Sequence, residues 1–503
     1  MLNSYNNTKE PDILEVIADL SNDEVFTPPS VAKQMLDLLP ADVWRNPSLR
    51  WIDPFTKTGV FLREITKRLL VGLKDEIPEE QQRLEHILRN MVFGVAITEL
   101  TSLVSRRSLY CSKWANSDKS VVKFPSDQGN LIYKRVEHVF FRGRCSECLA
   151  AEADQGGGAE TENYAYALLH QEGRRFIEKE IGLKFDIVVG NPPYQSDDES
   201  DSPSSSPIYN LFVDQAMRLS PQYLSMIIPS RWMVGGKGLD SFRQSMLSDK
   251  RLVKIVDYQN AAEVFPQVGI NGGICYFLWE ANHDGDCTVT SHFLGEERTA
   301  LRKLDKYDVL LRDYRAEAIV DKVATFESIE DLVSARKPFG LATNFSGHKV
   351  SKPGDLPLLE RTGKTWVTKT EIQTGLDFVP SWKVAIRRAG SGREREKSAF
   401  DTVIFKPEML GPNWVCTETF LLIGPLKSED EAKSVASYVA TKFFRFLVSL
   451  RKAGQDAPRG TYKWVPRVTF DRIWTDAELV NMFGLTDSEW QLIDSRIKEM
   501  VLE

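Results

Sequence analysis

Apolar residues in the first 300 positions alternate between short continuous runs, typical of buried strands, and runs at helical spacing. The continuous runs include LRWID at 49–53, MVFGVAI at 91–97 and FDIVVG at 185–190, and helical periodicity follows, as in the segment from about Gly59. This alternation predicts an α/β fold with a doubly wound, mostly parallel sheet and helices on both faces. With the later runs YLSMIIP, LVKIVDY and GGICYFLWE, we predict a seven-stranded sheet.

The same pattern predicts where the domains divide. A first domain over 1–300 is interrupted at 109–173, where the chain becomes polar and glycine-containing, and we predict an inserted, cysteine-containing subdomain there. Over 305–503, strand-like runs precede one long amphipathic helix at 431–450 and a final helix that a capping box at Thr486 marks. We therefore predict a C-terminal mixed α/β domain.

Composition and charge narrow the class of protein. The chain of 503 residues has 42% apolar and 27% charged residues, an ordinary globular composition. Its formal net charge of −7 argues against a protein that coats nucleic acid non-specifically, so any such contact must be local. The acidic stretch at 150–205, which leads into the acidic loop at 195–207, and the basic segment at 387–397 are interpreted as solvated loops.

Cysteine content and hydropathy bear on the compartment. Six cysteines are too few for a disulfide framework in a chain of this length. The sequence has no apolar run of about 18 residues and no signal-like N-terminus. We therefore expect a soluble, cytoplasmic protein without a membrane partner.

The tetrapeptide Asn191–Tyr194 (NPPY) directly follows the run FDIVVG, and ligands of doubly wound sheets bind beyond the carboxyl ends of the strands. An aromatic amine is a poor nucleophile because its lone pair is delocalised into the ring. Two uncharged acceptors, the side-chain oxygen of Asn191 and the carbonyl of Pro192, would bind both of its N–H groups and favour attack by its nitrogen. Tyr194 offers a face on which a base stacks. The alternative is a rigid turn that carries a surface tyrosine.

Two further motifs precede helices. Residues 53–62 (DPFTKTGVFL) span a strand–loop–helix junction, where a cofactor can approach backbone amides and a helix N-terminus. Residues 26–29 (FTPP) precede a helix that we predict over 30–39, with Ser30 as its N-cap. Both motifs are candidates for binding a cofactor.

FTPP, DPFTKTGVFL and GNPPY occur in the order found in the gamma-class, TaqI-like N6-adenine DNA methyltransferases of restriction–modification systems, and most of the chain resembles this family. The resemblance implies S-adenosylmethionine as methyl donor and, as acceptor, an adenine flipped out of double-stranded DNA. It implies that 1–300 is the methyltransferase domain and 305–503 a target-recognition domain. The implied partners are DNA and a cognate restriction endonuclease.

The resemblance also assigns roles to individual residues. Those placed near the cofactor are Phe26, Thr27, Pro28, Asp53, Thr58, Gly59 and Phe61. Those placed around the flipped adenine are Asn191, Pro192, Tyr194 and Phe265, and the alternative for Phe265 is a core aromatic. The basic side chains considered for phosphate or guanine contacts are Arg387, Arg388, Arg451, Lys452, Arg459 and Lys463.

The chain departs from the family pattern at two positions. Lys57 stands where the first of two glycines is expected, which predicts a different loop shape or a lower cofactor affinity. Ala96 stands where an acidic residue for the cofactor ribose is expected. Glu99 follows three residues later, and it is either that ligand or a solvated residue in the first turn of a helix.

Two other functions stay open at this point. One is methylation of another planar nitrogen, namely cytosine N4, an RNA base or a glutamine amide, because NPPY suits each of these acceptors. The other is a non-catalytic DNA-binding subunit, which the departures at Lys57 and Ala96 suggest.

The predicted insertion holds a CxxC motif, Cys145–Cys148, with Cys111 and His138 upstream. Zinc prefers tetrahedral Cys and His ligands, and a CxxC turn supplies two of them. These four residues are candidate ligands of a structural zinc ion. Because a second CxxC is missing, the alternative is a set of free or buried cysteines.

Overall fold

The structure is a computed structural model, and the residues that it describes are 25–150, 152, 166–195, 207–293, 295–388, 403–452, 454 and 456–502. Most of the acidic loop (196–206) and of the basic segment (389–397) lies outside these residues. The chain divides into two units, Met1–Asp308 and Val309–Glu503. Among the described helices, none has the length and apolar content needed to cross a lipid bilayer.

The first unit is built on one large sheet. Its strands, with the separate hairpin β4–β5, are β1 (Trp51–Thr56), β2 (Val92–Ala96), β3 (Leu131–Ile132), β4 (Phe140–Phe141), β5 (Arg144–Cys145), β6 (Ile187–Gly190), β7 (Tyr223–Pro229), β8 (Leu252–Tyr258), β9 (Ile274–Glu280), β10 (Cys287–Phe293) and β11 (Glu296–Arg302). Its helices are α1 (Pro29–Leu36), α2 (Val60–Gly72), α3 (Glu80–His86), α4 (Glu99–Tyr110), α5 (Gln171–Ile181), α6 (Tyr209–Arg218) and α7 (Asp240–Ser248).

The strand order is β11-β10-β8-β9-β7-β6-β1-β2-β3. The five strands from β7 to β3 run parallel to one another, and β9 runs antiparallel to both of its neighbours. The prediction of an α/β fold with a large, mostly parallel sheet is therefore confirmed. Strands β1, β6 and β7 are buried at every position, as expected for the centre of such a sheet.

The sheet has nine strands in the described residues, so the predicted count of seven is wrong. After β9 the chain stays in the sheet: β10 pairs in parallel with β8, and β11 pairs antiparallel with β10. Most of β11 is exposed or half-buried, so its sequence has no continuous apolar run. Periodicity alone does not reveal such an edge strand.

Two local expectations are corrected. Helix α1 begins at Pro29, and its N-cap Pro28 makes no side-chain capping bond, so Ser30 is not the N-cap. Proline suits this first position because its φ is preset and its missing N–H has no helical partner there. The segment 109–173, which we predicted as an inserted subdomain, is partly built into the main sheet. It contributes β3 to the sheet edge beside β2, as well as the hairpin β4–β5.

The order of the strands brings the motifs DPFTKTGVFL and NPPY to the same edge of the sheet. β1 pairs with β2 on one side and β6 on the other, all in parallel. The carboxyl ends of β1 and β6 therefore open at the same edge, which is where doubly wound sheets bind ligands. The loop that contains Lys57 leaves β1 there, and Asn191 follows β6 there.

The second unit combines helices with two three-stranded sheets, ordered β13-β12-β16 and β15-β14-β17. Its elements are α8 (Ala316–Val323), β12 (Leu356–Glu360), β13 (Gly363–Val367), β14 (Trp382–Arg387), β15 (Glu408–Leu410), β16 (Val415–Cys416), β17 (Phe420–Leu426), α9 (Glu429–Ala440), α10 (Lys442–Ser449), α11 (Asp476–Met482) and α12 (Asp487–Arg496).

The single helix predicted at 431–450 is two helices. The chain turns at Thr441, whose backbone is extended (φ −64°, ψ 151°) and whose Oγ1 accepts a hydrogen bond from the Phe444 N–H at 3.2 Å. The predicted capping box of the final helix is confirmed. The Glu489 N–H donates to Thr486 Oγ1 (3.3 Å), and the Thr486 N–H donates to Glu489 Oε2 (2.7 Å).

Candidate active site

Asn191 directly follows β6, and only the nitrogen of its side-chain amide has hydrogen-bond partners in the part of the chain that the structure describes. The amide nitrogen donates to the Val25 carbonyl (2.9 Å) and to Thr27 Oγ1 (3.0 Å). Because a carbonyl can only accept, the nitrogen and not the oxygen must face Val25. The oxygen, Oδ1, is buried and has no hydrogen-bond partner among the described residues. A buried acceptor without a donor is costly, so this oxygen is a candidate for binding an N–H group of a ligand.

Lys57 shares an acceptor with Asn191. Its Nζ donates to the same Val25 carbonyl at 3.0 Å, and the residue is 9% exposed. The side chain therefore reaches the segment that precedes FTPP. The sequence identified Lys57 as a departure from the family pattern but gave no sign of Val25, because a backbone acceptor does not depend on residue type.

Asp53 lies in β1 beside the end of β6. Its Oδ1 accepts a hydrogen bond from the Phe55 N–H (3.0 Å), and a Cβ at Gly190 would lie 3.0 Å from the same oxygen. Burial raises the pKa of the Asp53 carboxyl to about 7, although the Phe55 N–H and the nearby Lys57 ammonium act to lower it. The two strand-end motifs thus lie side by side on the paired strands β1 and β6.

The loop after β1 ends at Gly59, the N-cap of α2, with φ 76°. Only glycine adopts this left-handed conformation at no steric cost, and a Cβ there would lie 3.1 Å from Ser105 in α4. Thr58 and Phe61 flank the glycine and are buried. The start of α2 is therefore fixed against α4 at the ligand-binding edge of the sheet.

Tyr194 and Phe265, both predicted to surround the base, belong to the same apolar region. Phe265 is buried within the core cluster of the first unit, and Tyr194 packs against that cluster. The Tyr194 hydroxyl has no hydrogen-bond partner among the described residues, and burial raises its pKa well above the ordinary value, although the nearby Asn191 amide acts to lower it. Pro192 is buried beside them. The burial of Phe265 fits either role, so its contact with a base stays a prediction.

Glu99 is the first residue of α4, directly beyond β2, and it is exposed. Thr98, the N-cap, accepts a hydrogen bond from the Thr101 N–H (3.0 Å), so Glu99 itself does not cap the helix. Its place at the same sheet edge leaves both of its predicted roles open. Phe26 and Pro28, predicted to lie near the cofactor, are partly buried on either side of Thr27.

Three of the basic side chains considered for DNA contacts have partners within the second unit. Arg388 forms an ion pair with Asp456 (3.6 Å), and the guanidinium of Arg451 lies 4.6 Å from the ring centre of Trp464. Arg459 donates to the carbonyl of Glu330 at 3.0 Å. Their contacts with DNA stay predictions.

A second cluster lies in the segment 109–173. The candidate ligand atoms of His138, Cys145, Cys148 and His170 all lie within 4.8 Å of one another. Cys111, which we predicted as a ligand, is not part of this cluster. It is the exposed C-cap of α4, in a left-handed conformation (φ 59°), so the prediction for Cys111 is wrong.

His170 is a member of the cluster that the sequence analysis missed. It follows the CxxC motif by more than 20 positions, beyond the usual zinc-ligand spacing, and so only the fold brings it close. A usable signal was its position at the end of the same insertion, in a chain with only six histidines.

The thiols of this cluster differ in their environment. Burial opposes ionisation of Cys145, but the N–H groups of Cys148 and Glu147 and the two imidazoles lower its pKa to about 5. For Cys148, burial dominates and raises the pKa to about 12.

Comparison with known proteins identifies the family. Residues 90–265 match the Eco57I restriction-modification methylase family. Over 307 residues, 56% of this chain and 73% of the relative, the sequence is 36% identical to an uncharacterized adenine-specific methylase of Mycoplasma pneumoniae. The chain belongs to this family of adenine-specific methylases, which confirms the predicted resemblance to adenine methylases of restriction–modification systems.

The solved structures to which this chain shows some similarity include two from restriction–modification systems. One is the type I methyltransferase subunit from Streptococcus thermophilus, with 13% identity and a TM-score of 0.33 over 58% of this chain and 54% of that chain. The other is a nuclease-deletion mutant of the Type ISP enzyme LlaGI in complex with a DNA substrate mimic, with 10% identity and a TM-score of 0.48 over 86% of this chain and 45% of that chain. The present chain thus spans about half the length of these proteins.

Proposed function

We propose that this protein is a site-specific DNA methyltransferase that moves a methyl group from S-adenosylmethionine to N6 of an adenine flipped out of duplex DNA, within a restriction–modification system. The observation that carries the proposal is the buried, unpartnered oxygen of Asn191. Val25 and Thr27 hold the nitrogen of the same amide, so the oxygen is left to accept an N–H group. The exocyclic amine of adenine supplies such a group.

Uncharged acceptors explain how an aromatic amine becomes a nucleophile. Asn191 Oδ1 and the Pro192 carbonyl would each accept one N–H of the amine, which favours a pyramidal nitrogen and stabilises the positive charge that develops on it. S-adenosylmethionine supplies a methyl group on a positively charged sulfur. Adenine N6 would form the new bond to that methyl carbon, and the sulfur would leave with the electron pair of the carbon–sulfur bond. N6 then releases its extra proton to water, so no side chain with a tuned pKa is required.

The residues around the end of β1 fit a cofactor. Gly59 holds the N-terminus of α2 at the ligand-binding edge, and backbone N–H groups at such a terminus suit polar cofactor groups. We assign cofactor contacts to Asp53, Thr58, Gly59 and Phe61, contacts with the methionine end to Thr27 and Pro28, and a ribose contact to Glu99. A zinc ion in the cysteine-containing segment would have a structural role apart from this chemistry.

The buried position of the acceptor supports base flipping. Asn191 is 3% exposed, so an amine inside a base-paired duplex cannot reach its oxygen. We further propose that the second unit recognises the target sequence and that a restriction endonuclease is the functional partner. Because the net charge is −7, we expect the DNA contacts to be confined to local basic patches.

The test compares wild type with Asn191→Ala in cells whose DNA lacks N6-methyladenine, with genomic DNA read by single-molecule sequencing. We expect wild type to methylate adenine N6 at one sequence motif, and the variant to lose roughly 100-fold or more of its turnover. S-adenosylhomocysteine should bind both proteins with affinities within about threefold by calorimetry, because Asn191 contacts the base. Asn282→Ala, an exposed control in the turn after β9, should behave as wild type.

Each other outcome points elsewhere. Methyl groups found on cytosine N4, on RNA or on a glutamine amide would show that adenine N6 is not the acceptor. Turnover retained by Asn191→Ala, or cofactor binding lost in it, would refute the role of Asn191. A wild-type protein that binds DNA but no cofactor would be a non-catalytic DNA-binding subunit.

A further inference from the structure

The cysteine-containing segment presents four metal-ligating atoms in one place. Cys148 Sγ lies 3.4 Å from His138 Nδ1, and Cys145 Sγ lies 3.5 Å from His170 Nε2. Zinc bonds of about 2.3 Å to sulfur and about 2.0–2.1 Å to nitrogen, at tetrahedral angles, imply sulfur–nitrogen separations of roughly 3.6 Å. Both measured sulfur–nitrogen separations are therefore close to those around a tetrahedral zinc ion, and all four ligand atoms lie within 4.8 Å of one another. We propose that His138, Cys145, Cys148 and His170 form a closed structural zinc site.

The contacts of His170 orient it as a ligand. Its Nδ1 lies 2.8 Å from the Tyr166 carbonyl, which can only accept, so Nδ1 carries the proton. The lone pair of Nε2 is then directed to the cluster. A backbone carbonyl on the second nitrogen is the usual support of a metal-bound histidine, because it fixes both the tautomer and the ring orientation.

The CxxC motif follows a tight hairpin that presents its thiols. Phe140 pairs with Cys145 and Phe141 pairs with Arg144, which leaves a two-residue turn in which Arg142 (φ 52°) and Gly143 (φ 76°) are both left-handed. The Leu149 N–H donates back to the Cys145 carbonyl (3.1 Å). The two cysteines are thus held on one short, closed turn.

The burial and number of the ligands indicate a structural role. Cys145, Cys148 and His170 are buried, and four protein ligands leave no open position for water or substrate. The site joins the hairpin to the residue that immediately precedes α5. Glu147, inside the CxxC motif, also accepts a hydrogen bond from the Gln171 N–H (2.6 Å) at the start of that helix.

The site would therefore fix the start of α5, which leads into β6 and then Asn191. This inference does not depend on methyl transfer, because the readout is metal content. The methyltransferase could be correct without the zinc site, and the zinc site could be correct without the methyltransferase.

The test uses the 503-residue protein purified without chelator, with metals measured by mass spectrometry and release of zinc followed by a colorimetric indicator. We expect about one equivalent of zinc in wild type. We expect His170→Ala to lose at least about 10-fold in zinc affinity, as removal of a ligand requires. His170→Cys should retain zinc, because a Cys₃His set also binds it.

Two matched controls separate this site from the alternatives. Cys111→Ala should keep the full equivalent because Cys111 is outside the cluster, and His283→Ala, a histidine elsewhere in the first unit, should keep it too. Replacement of zinc by Co²⁺ should give the intense visible absorption of tetrahedral coordination in wild type and in Cys111→Ala. Undamaged wild type without metal, zinc lost from Cys111→Ala, or unchanged affinity in His170→Ala would each overturn the proposal. If His170→Ala fails to fold, His170→Cys without zinc would overturn it as well.

Discussion

At the scale of residues, the Val25 carbonyl connects two side chains that the sequence placed in separate motifs. It accepts hydrogen bonds from the Asn191 amide and from the Lys57 ammonium. Lys57 thereby helps to fix the backbone segment at Val25, which in turn orients the Asn191 amide. The lysine that replaces a family glycine is thus a positioning residue in our proposal.

We expect Lys57→Met to lower kcat about 10-fold. The methionine keeps the apolar stem but loses the ammonium, and one charged hydrogen bond is worth about 1.5–3 kcal/mol, where about 1.4 kcal/mol corresponds to a factor of ten in rate. Steady-state methylation assays and calorimetry with S-adenosylhomocysteine provide the measurement. Lys57→Arg should restore much of the rate, and Lys74→Met, an exposed lysine after α2, should have no effect. Tighter cofactor binding by Lys57→Met at an unchanged kcat would show instead that Lys57 obstructs the cofactor.

Asp53 predicts a pH dependence of stability. Its pKa is raised from 3.8 to about 7 by burial, so between these values the folded protein binds this proton more tightly than the unfolded chain does. The contribution of Asp53 is therefore fully present below about pH 4 and is lost as the pH rises to about 7, by up to about 4 kcal/mol at about 1.4 kcal/mol per pKa unit.

Urea unfolding of wild type and Asp53→Asn at several pH values measures this contribution. The wild type should lose stability relative to the variant between pH 5 and pH 7, by an order of magnitude in the folding equilibrium or more. Asp75→Asn, an exposed control, should track the wild type. A difference between wild type and Asp53→Asn that does not change with pH would contradict the raised pKa.

The residue scale also shows what the sequence can and cannot predict. The sequence placed Asn191 directly after one predicted strand and Asp53 at the end of another, and a doubly wound sheet binds ligands beyond such strand ends. The sequence did not predict the role of Val25, because any residue type can supply a backbone carbonyl. It did not predict His170 as a ligand, because only tertiary structure brings this histidine close to the cysteines. Whether Phe265 contacts a base stays a prediction.

At the scale of elements, continuous apolar runs predicted the central strands well. Helical periodicity did not predict where one helix ends and the next begins. Apolar residues keep their helical spacing through Thr441, so the pattern over 431–450 gave no sign of the turn there. Capping was more informative: the Thr486 capping box placed the start of α12 correctly, because its side-chain hydrogen bonds are local in sequence.

The cap of α12 gives a prediction at this scale. Thr486→Ala removes the acceptor of the Glu489 N–H and should destabilise the helix by about 1 kcal/mol. Hydrogen–deuterium exchange of the amides at 487–496 should then accelerate about fivefold if they exchange through local opening. Ser495→Ala, on the same helix and away from its start, should leave exchange nearly unchanged. Equal acceleration in both variants would argue against a specific effect of the cap.

At the scale of the whole molecule, the sequence predicted the class of fold but not the extent of the sheet. The parallel core follows from runs that are buried on both faces, and these are visible in any single sequence. The hairpin β10–β11 depends on pairing with β8, and β11 offers little apolar surface of its own. The two units divide near residue 308 because most contacts lie within one unit or the other. The sequence indicates this boundary only indirectly, through a change in the pattern of apolar residues.

The antiparallel strand β9 has a consequence for synthesis on the ribosome. It is the only strand that pairs with both β7 and β8 in the described sheet, and it comes after both of them in the chain. A nascent chain that ends before residue 274 therefore has β7 as an open edge of the parallel strands, and β8 has neither of its sheet neighbours, β9 and β10. Unpaired edges of apolar strands template association between chains, so this interval of translation is when the polypeptide most needs a chaperone.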